Sequence, residues 1–141
     1  MLARRRLVLI YYLLPRRIEN MPLNVRHAHL QVVHLKYNSA CELSFIQCCE
    51  SKNIKITNGP TLKYVLEDKQ HFYYVDFEIL DKYIVEIKGS NHHYYQALSS
   101  GEIDAKNKSA QLYAEQNNKI FLYLLDYDDY NDILEKCLSE I

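Results

Sequence analysis

Residues 73–89 read Tyr73-Tyr-Val-Asp-Phe-Glu-Ile-Leu-Asp-Lys-Tyr-Ile-Val-Glu-Ile-Lys-Gly89, a pattern that predicts two β-strands joined by a tight turn. Apolar and polar side chains alternate along both strands, and successive strand side chains point to opposite faces of a sheet. Asp76 therefore shares a face with Glu78, and Glu86 shares a face with Lys88. If the hairpin aligns these faces, two carboxylates and an ammonium group converge on an otherwise apolar sheet. Because a buried polar group destabilises a fold unless it is paired, we expect the cluster to serve a function.

Length and composition indicate one globular domain. The chain has 141 residues, of which 25% are charged and 48% hydrophobic, so it can bury a substantial core and is not expected to be disordered. Its four cysteines lack the C-x-x-C and zinc-ligand spacings, which predicts reduced thiols in an intracellular, cytoplasmic protein that is not secreted. These cysteines are Cys41, Cys48, Cys49 and Cys137.

The charge is divided unevenly along the chain. Residues 1–38 carry seven Lys and Arg against one acid, whereas residues 39–141 carry ten Lys against seventeen acids. We predict a basic N-terminal arm over residues 1–35 and one domain over residues 36–141. The arm is either a solvated tail or a source of phosphate contacts. The arginines that would supply these contacts are Arg4, Arg5, Arg6, Arg16 and Arg17.

An apolar run over residues 7–14 lies within the arm. It is too short to cross a bilayer and lacks a small-residue cleavage site, so we expect neither a membrane partner nor a signal peptide. A peripheral strand or helix, or an extension upstream of a start at Met21, fits the run better.

The rest of the chain predicts an α/β fold with the element order helix, three-strand meander, helix, strand, helix. Ser39 and Glu42 form a capping box that opens a helix ending near Lys52. Strands are expected at 61–66, 71–79 and from 83 to 88, with turns at 67–70 and at Leu80-Asp81. Residues 90–101 read as a polar loop, 102–116 as a helix, and 120–125 as a strand buried on both faces, followed by a final helix.

The charges of the hairpin have the spacing Asp-x9-Glu-x-Lys, which suits metal-dependent hydrolysis of phosphodiesters. Carboxylates bind hard cations such as Mg2+ or Mn2+, and the cation polarises a phosphoryl group. A neighbouring lysine orients or deprotonates water and offsets phosphate charge. Glu-x-Lys alone is common on exposed strands. Here Glu86 and Lys88 interrupt a strand that is hydrophobic enough to be central, which favours a cleft over an exposed face.

At this point the chain resembles the PD-(D/E)XK nucleases, which have the restriction-endonuclease-like fold. Within that superfamily it is similar to small phage-type endonucleases related to very-short-patch repair and junction-resolving enzymes. The resemblance covers residues 36–135. In chain order its motifs are Lys36-Tyr-Asn-Ser-Ala-Cys-Glu42, Asn58-Gly-Pro-Thr-Leu-Lys-Tyr64, Tyr73-Tyr-Val-Asp-Phe77, Ile84-Val-Glu-Ile-Lys-Gly89, Lys106-Asn-Lys-Ser-Ala110 and the strand at 120–125. Val75 stands where the family has a proline before the aspartate.

The resemblance implies a role for each motif residue. Asp76 and Glu86 would be metal ligands together with the main-chain carbonyl of Ile87, and Lys88 would be the catalytic lysine. Glu42 would be an additional acid close to the metal. The implied activity is Mg2+- or Mn2+-dependent cleavage of duplex or branched DNA, and a homodimer fits so short a chain.

Several alternatives remain open at the level of sequence. Glu42 either serves only as a helix-capping residue or also lies close to the metal. His92 and His93 either assist the chemistry or belong to a solvated loop, and Lys106 and Lys108 either contact phosphate or only solubilise their helix. A four-way-junction resolvase, a non-catalytic nucleic-acid-binding module and a structural α/β protein with coincidental charges are the competing functions.

Overall fold

The computed structural model describes residues 6–13 and 30–140, and its side chains at 35–91 and 94–140. The chain is an α/β protein. Its strands are β1 Arg6–Leu13, β2 Leu30–Tyr37, β3 Ile56–Asn58, β4 Thr61–Leu66, β5 Lys69–Tyr74, β6 Phe77–Ile79, β7 Tyr83–Lys88 and β8 Ile120–Leu125. Its helices are α1 Ala40–Ser51, α2 His92–Ser99, α3 Glu102–Gln116 and α4 Tyr130–Ser139.

A mixed four-stranded sheet with the order β3-β6-β7-β8 forms the centre of the fold. Strand β6 is antiparallel to both β3 and β7, whereas β7 and β8 are parallel. Two antiparallel pairs, β1 with β2 and β4 with β5, complete the described strands. Strand β7, which carries Glu86 and Lys88, therefore lies inside the sheet, as its hydrophobic sequence indicated.

The predicted strand over residues 71–79 is wrong in one respect, because it is broken at Val75-Asp76. The pairs β4–β5 and β3–β6 follow the same register, so they form one long hairpin that bends at this break. The backbone of Gly59 packs tightly against the chain at this break, since a Cβ added to Gly59 would lie 2.7 Å from the Val75 carbonyl oxygen. The bend separates β4–β5, hereafter the ribbon, from the central sheet, so the meander is not one continuous sheet.

Both hairpin turns use left-handed backbone at non-glycine residues. Glu67 and Asp68 have φ angles of 53° and 61°, and Leu80 and Asp81 have φ angles of 56° and 53°. Left-handed pairs match the twist of the strands that they join, which accounts for their use despite a steric cost. The turn at Leu80-Asp81 confirms the prediction, whereas the first turn is shorter than predicted and β5 begins at Lys69.

Two hydrophobic clusters cover the two faces of β7. The first joins the Phe77 and Val85 side of the sheet to α1 and α4 through Phe45 and Leu134. The second joins Ile84 to the ribbon and to α3; its other buried members are Leu62, Tyr73, Val75, Ala110 and Ala114. The sheet therefore has α1 and α4 on one face and α3 with the ribbon on the other.

Two further predictions about the secondary structure are wrong. Residues 92–99 form α2 rather than a loop, because the Asn91 side chain caps the helix by accepting from the Tyr94 N–H at 3.1 Å. Strand β8 pairs only with β7 and lies at the edge of the described sheet, so its first residue, Ile120, is exposed. Its apolar run therefore does not indicate burial on both faces.

Candidate active site

The break in the long hairpin fixes the position of Asp76. Just beyond the last β6–β7 pair, Phe77 with Val85, the Asp76 Oδ2 atom accepts a hydrogen bond of 2.8 Å from the Ile87 N–H. The carboxylate thus takes the place of a main-chain acceptor where the ladder ends. The result is a partly buried carboxylate held against the backbone of β7, between Glu86 and Lys88.

Glu86 is buried on the face of β7 that meets α3 and the ribbon. Its Oε2 atom accepts a hydrogen bond of 2.7 Å from the Tyr73 hydroxyl, and its Oε1 atom lies 3.5 Å from the Lys88 ammonium. Lys88 is two residues further along the same face and is partly exposed. The predicted sharing of a face by Glu86 and Lys88 is therefore confirmed.

Glu42 is buried at the start of α1. The Ser39 hydroxyl accepts from the Glu42 N–H at 3.2 Å and donates to the Glu42 Oε2 atom at 2.7 Å, so the predicted helix start is confirmed. Glu42 and Asp76 also line one cleft of about 310 Å³, together with Lys36 and Tyr74. Glu42 therefore caps α1 and also lies in the same cleft as Asp76.

The pKa values of two carboxyl groups in this cluster are raised, those of Asp76 and Glu86. Burial raises the pKa of Asp76 well above its usual value, and the charges of Glu86 and Glu42 raise it further, against the Ile87 N–H and Lys88, which lower it. Burial also raises the pKa of Glu86, opposed by Lys88, the Tyr73 hydroxyl and Lys106. Two neighbouring acids with raised pKa values form a site that gains stability from an added positive charge.

The donor set fits a hard divalent cation in its chemistry, because carboxylate and carbonyl oxygens are the ligands that Mg2+ and Mn2+ take. Over the described residues, no group of three or more His, Cys, Asp or Glu side chains could hold an ion. A cation here would therefore depend on Asp76 and Glu86 with additional oxygens from the main chain or from water.

Lys106 and Lys108 differ although both lie on α3. The Lys106 ammonium lies 5.6 Å from the centre of the Tyr73 ring and 5.8 Å from that of Tyr64, and it pairs with Glu102 at 2.9 Å. Its side chain is 20% exposed, whereas Lys108 is 78% exposed and pairs with Asp104. Lys106 thus lies over the ring of Tyr73, whose hydroxyl donates to Glu86, whereas Lys108 points to solvent.

Two tyrosines of this site were not predicted from the sequence. Tyr73 donates to Glu86, and Tyr123 stands opposite Glu86 in the β7–β8 register. The Tyr123 hydroxyl is buried and, among the described residues, has no hydrogen-bond partner. Burial raises the pKa of Tyr123 to about 12, so the hydroxyl remains a donor at neutral pH. Thirteen tyrosines with no distinguishing spacing give no sequence signal for either one.

The remaining predicted residues are not brought into this cluster by the described structure. Arg4, Arg5, Arg16 and Arg17 lie outside the described residues, and Arg6 begins β1 with its side chain not described. His92 and His93 form the first turn of α2, again without described side chains. Glu78 forms an ion pair of 2.7 Å with Lys119, in which both side chains are partly buried.

Comparisons with protein-family models, with curated proteins and with solved structures find no match to this chain. The described helices include none that is both long enough and apolar enough to cross a membrane.

Proposed function

We propose that this protein is a Mg2+- or Mn2+-dependent DNA endonuclease with a restriction-endonuclease-like core, related to the PD-(D/E)XK nucleases. The observation that carries the proposal is the placement of partly buried Asp76 and buried Glu86 at neighbouring positions beside Lys88. The raised pKa values of both acids support the proposal, because carboxyl groups with perturbed pKa values cluster at catalytic sites.

Two side chains and one main-chain carbonyl would hold the cation. Asp76, Glu86 and the main-chain carbonyl of Ile87 are the proposed ligands, and Glu42 is close enough to Asp76 to act electrostatically or to hold a second ion. When bound, the ion supplies Lewis-acid polarisation of the phosphoryl group. The Ile87 N–H keeps the Asp76 carboxylate in place, and the Tyr73 hydroxyl does the same for Glu86.

The two lysines have separate proposed roles. Lys88 shares the strand face of Glu86, from which it orients the attacking water and offsets charge that develops on the phosphate. Lys106 lies over Tyr73 from the side of α3 and contributes a second positive charge to the same face. Lys108 has no part in the site.

The order of the elements also supports the proposal. The resemblance implied the order helix, meander, helix, strand, and the chain has α1, the bent hairpin with β7, α3 and β8 in that order, with α2 as an additional helix before α3. Val75 replaces the proline that precedes the aspartate in the family. The bend that positions Asp76 is formed instead at Gly59-Pro60, whose backbone bonds to both Val75 and Asp76.

The test offers supercoiled plasmid, linear duplex, single-stranded DNA and a four-way junction to the full chain with Mg2+ or Mn2+. We expect cleavage of at least one DNA substrate, and a loss of about 10²- to 10⁴-fold in rate for Lys88→Ala. Asp76→Ala should lose cleavage in the same assay. Lys108→Ala is the matched control and should cleave at the wild-type rate.

Two outcomes would overturn the proposal. The first is a wild-type protein that cleaves none of the four substrates with either ion. The second is cleavage that Lys88→Ala and Asp76→Ala leave intact, which would assign the activity to other residues or to a contaminant. Symmetric cutting of the junction by a dimer would identify the resolvase form of the same chemistry.

A further inference from the structure

The ribbon has an outer face that the central fold does not cover. Its side chains are Thr61, Lys63 and Val65 from β4 and Gln70, Phe72 and Tyr74 from β5. Phe72 is 61% exposed and Tyr74 is 54% exposed, and Val65 is also exposed. Large apolar side chains grouped on one exposed face are a feature of interaction surfaces.

The orientation of the ribbon is fixed by the packing of its inner face. Leu62 and Tyr73 on the opposite face of the ribbon are buried in the cluster with α3. The Ser109 hydroxyl of α3 also donates a hydrogen bond of 2.8 Å to the Lys63 carbonyl. Because strand side chains alternate between faces, this anchoring keeps Phe72 and Tyr74 directed away from the core.

The outer ribbon face is continuous with the candidate active site. Thr61 and Tyr74 line the cleft that also contains Asp76 and Glu42. Phe72 follows Tyr74 along the same face, at a spacing of about 7 Å for residues two apart on a strand. A ligand strand that leaves the carboxylates through this cleft therefore meets two aromatic rings in succession.

The charges on and around this face point to the kind of ligand. The outer face carries one cation, Lys63, whose ammonium lies 5.8 Å from the centre of the Phe72 ring, and no acid. Residues 39–141 have seven more acids than lysines, so this part of the chain is poorly suited to a broad phosphate interface. Aromatic rings with one adjacent cation suit stacking on bases instead.

We propose, on the basis of the proposed function, that the outer ribbon face binds unpaired nucleotides, whose bases stack on Phe72 and Tyr74. Duplex bases are stacked on one another and do not offer their faces, so the surface selects single-stranded segments, such as those at flaps, bubbles and branches. Lys63 contacts the accompanying phosphate. The ribbon thereby directs a single strand into the cleft at Asp76.

The test measures fluorescence anisotropy of labelled single-stranded and duplex oligonucleotides with the full chain carrying Asp76→Asn, which prevents cleavage. Adding Phe72→Ala or Tyr74→Ala should each weaken single-strand binding by about tenfold. Duplex binding should change less than twofold. Phe72→Trp should retain single-strand binding, and thermal melts confirm that each variant is folded.

Tyr95→Ala is the matched control, since Tyr95 is a comparably exposed tyrosine, at 59%, that belongs to α2 and not to the ribbon. It should bind the single strand as tightly as the parent. The single-strand affinity should also fall only weakly with added salt, because stacking rather than counterion release supplies most of it.

The inference is overturned if folded Phe72→Ala and Tyr74→Ala proteins bind the single strand as tightly as the parent. It is also overturned if light scattering shows a dimer that Phe72→Ala dissociates without weakening DNA binding, since the face would then join two copies of the chain. If Phe72→Ala weakens single-strand binding but the wild-type protein cleaves no DNA, this inference stands and the nuclease proposal is rejected. If the wild-type protein cleaves DNA but both variants bind the single strand as tightly as the parent, the nuclease proposal stands and this inference is rejected.

Discussion

The two faces of β7 have opposite chemistry although they belong to one six-residue strand. On one face, Tyr83, Val85 and Ile87 pack into the cluster with α1 and α4. On the other, Ile84 is followed by Glu86 and then by Lys88 near the open end of the strand. Burial of apolar groups stabilises the first face, whereas burial of charge destabilises the second. Stability and proposed chemistry are thus separated across the thickness of a single sheet.

The largest effect on stability should come from the apolar face. Phe77→Ala removes a fully buried ring that stacks on Phe45 at 5.7 Å between centres. We expect the free energy of unfolding to fall by about 3–5 kcal/mol, measured by urea denaturation. Thr57→Ala, on the neighbouring strand β3, is the control and should change it by less than about 0.5 kcal/mol. A loss below about 1 kcal/mol for Phe77→Ala would contradict the assignment of stability to this face.

A smaller effect should separate two tyrosines of the charged face. Tyr73→Phe removes the donor to a buried carboxylate oxygen, so we expect a loss of about 1.5–3 kcal/mol. Tyr123→Phe removes a buried hydroxyl without a partner among the described residues. The free energy of unfolding should therefore stay the same or rise by up to about 1 kcal/mol. Urea denaturation of both variants measures the difference. Equal losses would show that the Tyr123 hydroxyl has a partner of similar strength.

The smallest effect should be a gain in stability from Asp76→Asn. The folded pKa of Asp76 lies above its usual value of 3.8, so the folded state holds the proton more tightly than the unfolded state. Wild-type stability therefore falls, through this residue, as pH rises from that value through the folded pKa, and the loss is complete above it. Asparagine keeps an acceptor for the Ile87 N–H and carries no charge.

We therefore expect Asp76→Asn to be more stable than wild type by about 1 kcal/mol at pH 8 and by much less at pH 4. Urea midpoints at several pH values measure this difference. Added Mg2+ should stabilise wild type at pH 8 and leave the variant unchanged. A difference that shrinks as pH rises would have the wrong sign for a raised pKa and would refute this account of Asp76.

Local signals explain which elements were predictable. The helices at 40–51 and 102–116 were predicted within a residue or two, because Ser39 with Glu42 and the Asn117-Asn118 end are short-range features. Helix α2 was missed because tyrosine, histidine and serine are modest helix formers, and its asparagine cap also fits a loop. The break at Val75-Asp76 was missed because the alternation of apolar residues continues through it unchanged.

Long-range contacts explain the rest of the site. Lys106 and Lys108 have similar sequence surroundings, and only the docking of α3 on the ribbon turns one toward Tyr73 and the other toward solvent. The edge position of β8 likewise follows from strand order, which an apolar run does not encode.

Sequence pattern is enough to predict an α/β chain, a shared face for Glu86 and Lys88 on a central strand, and a tight turn after Asp76. These features follow from the two-residue period of strands and from short-range turn and cap chemistry. The bend of the hairpin at Gly59 and Val75 becomes visible only in the folded chain, where it places the Asp76 carboxylate on the Ile87 N–H and beside Glu42. The physical reason is that burial and the proximity of charges depend on packing between elements distant in sequence.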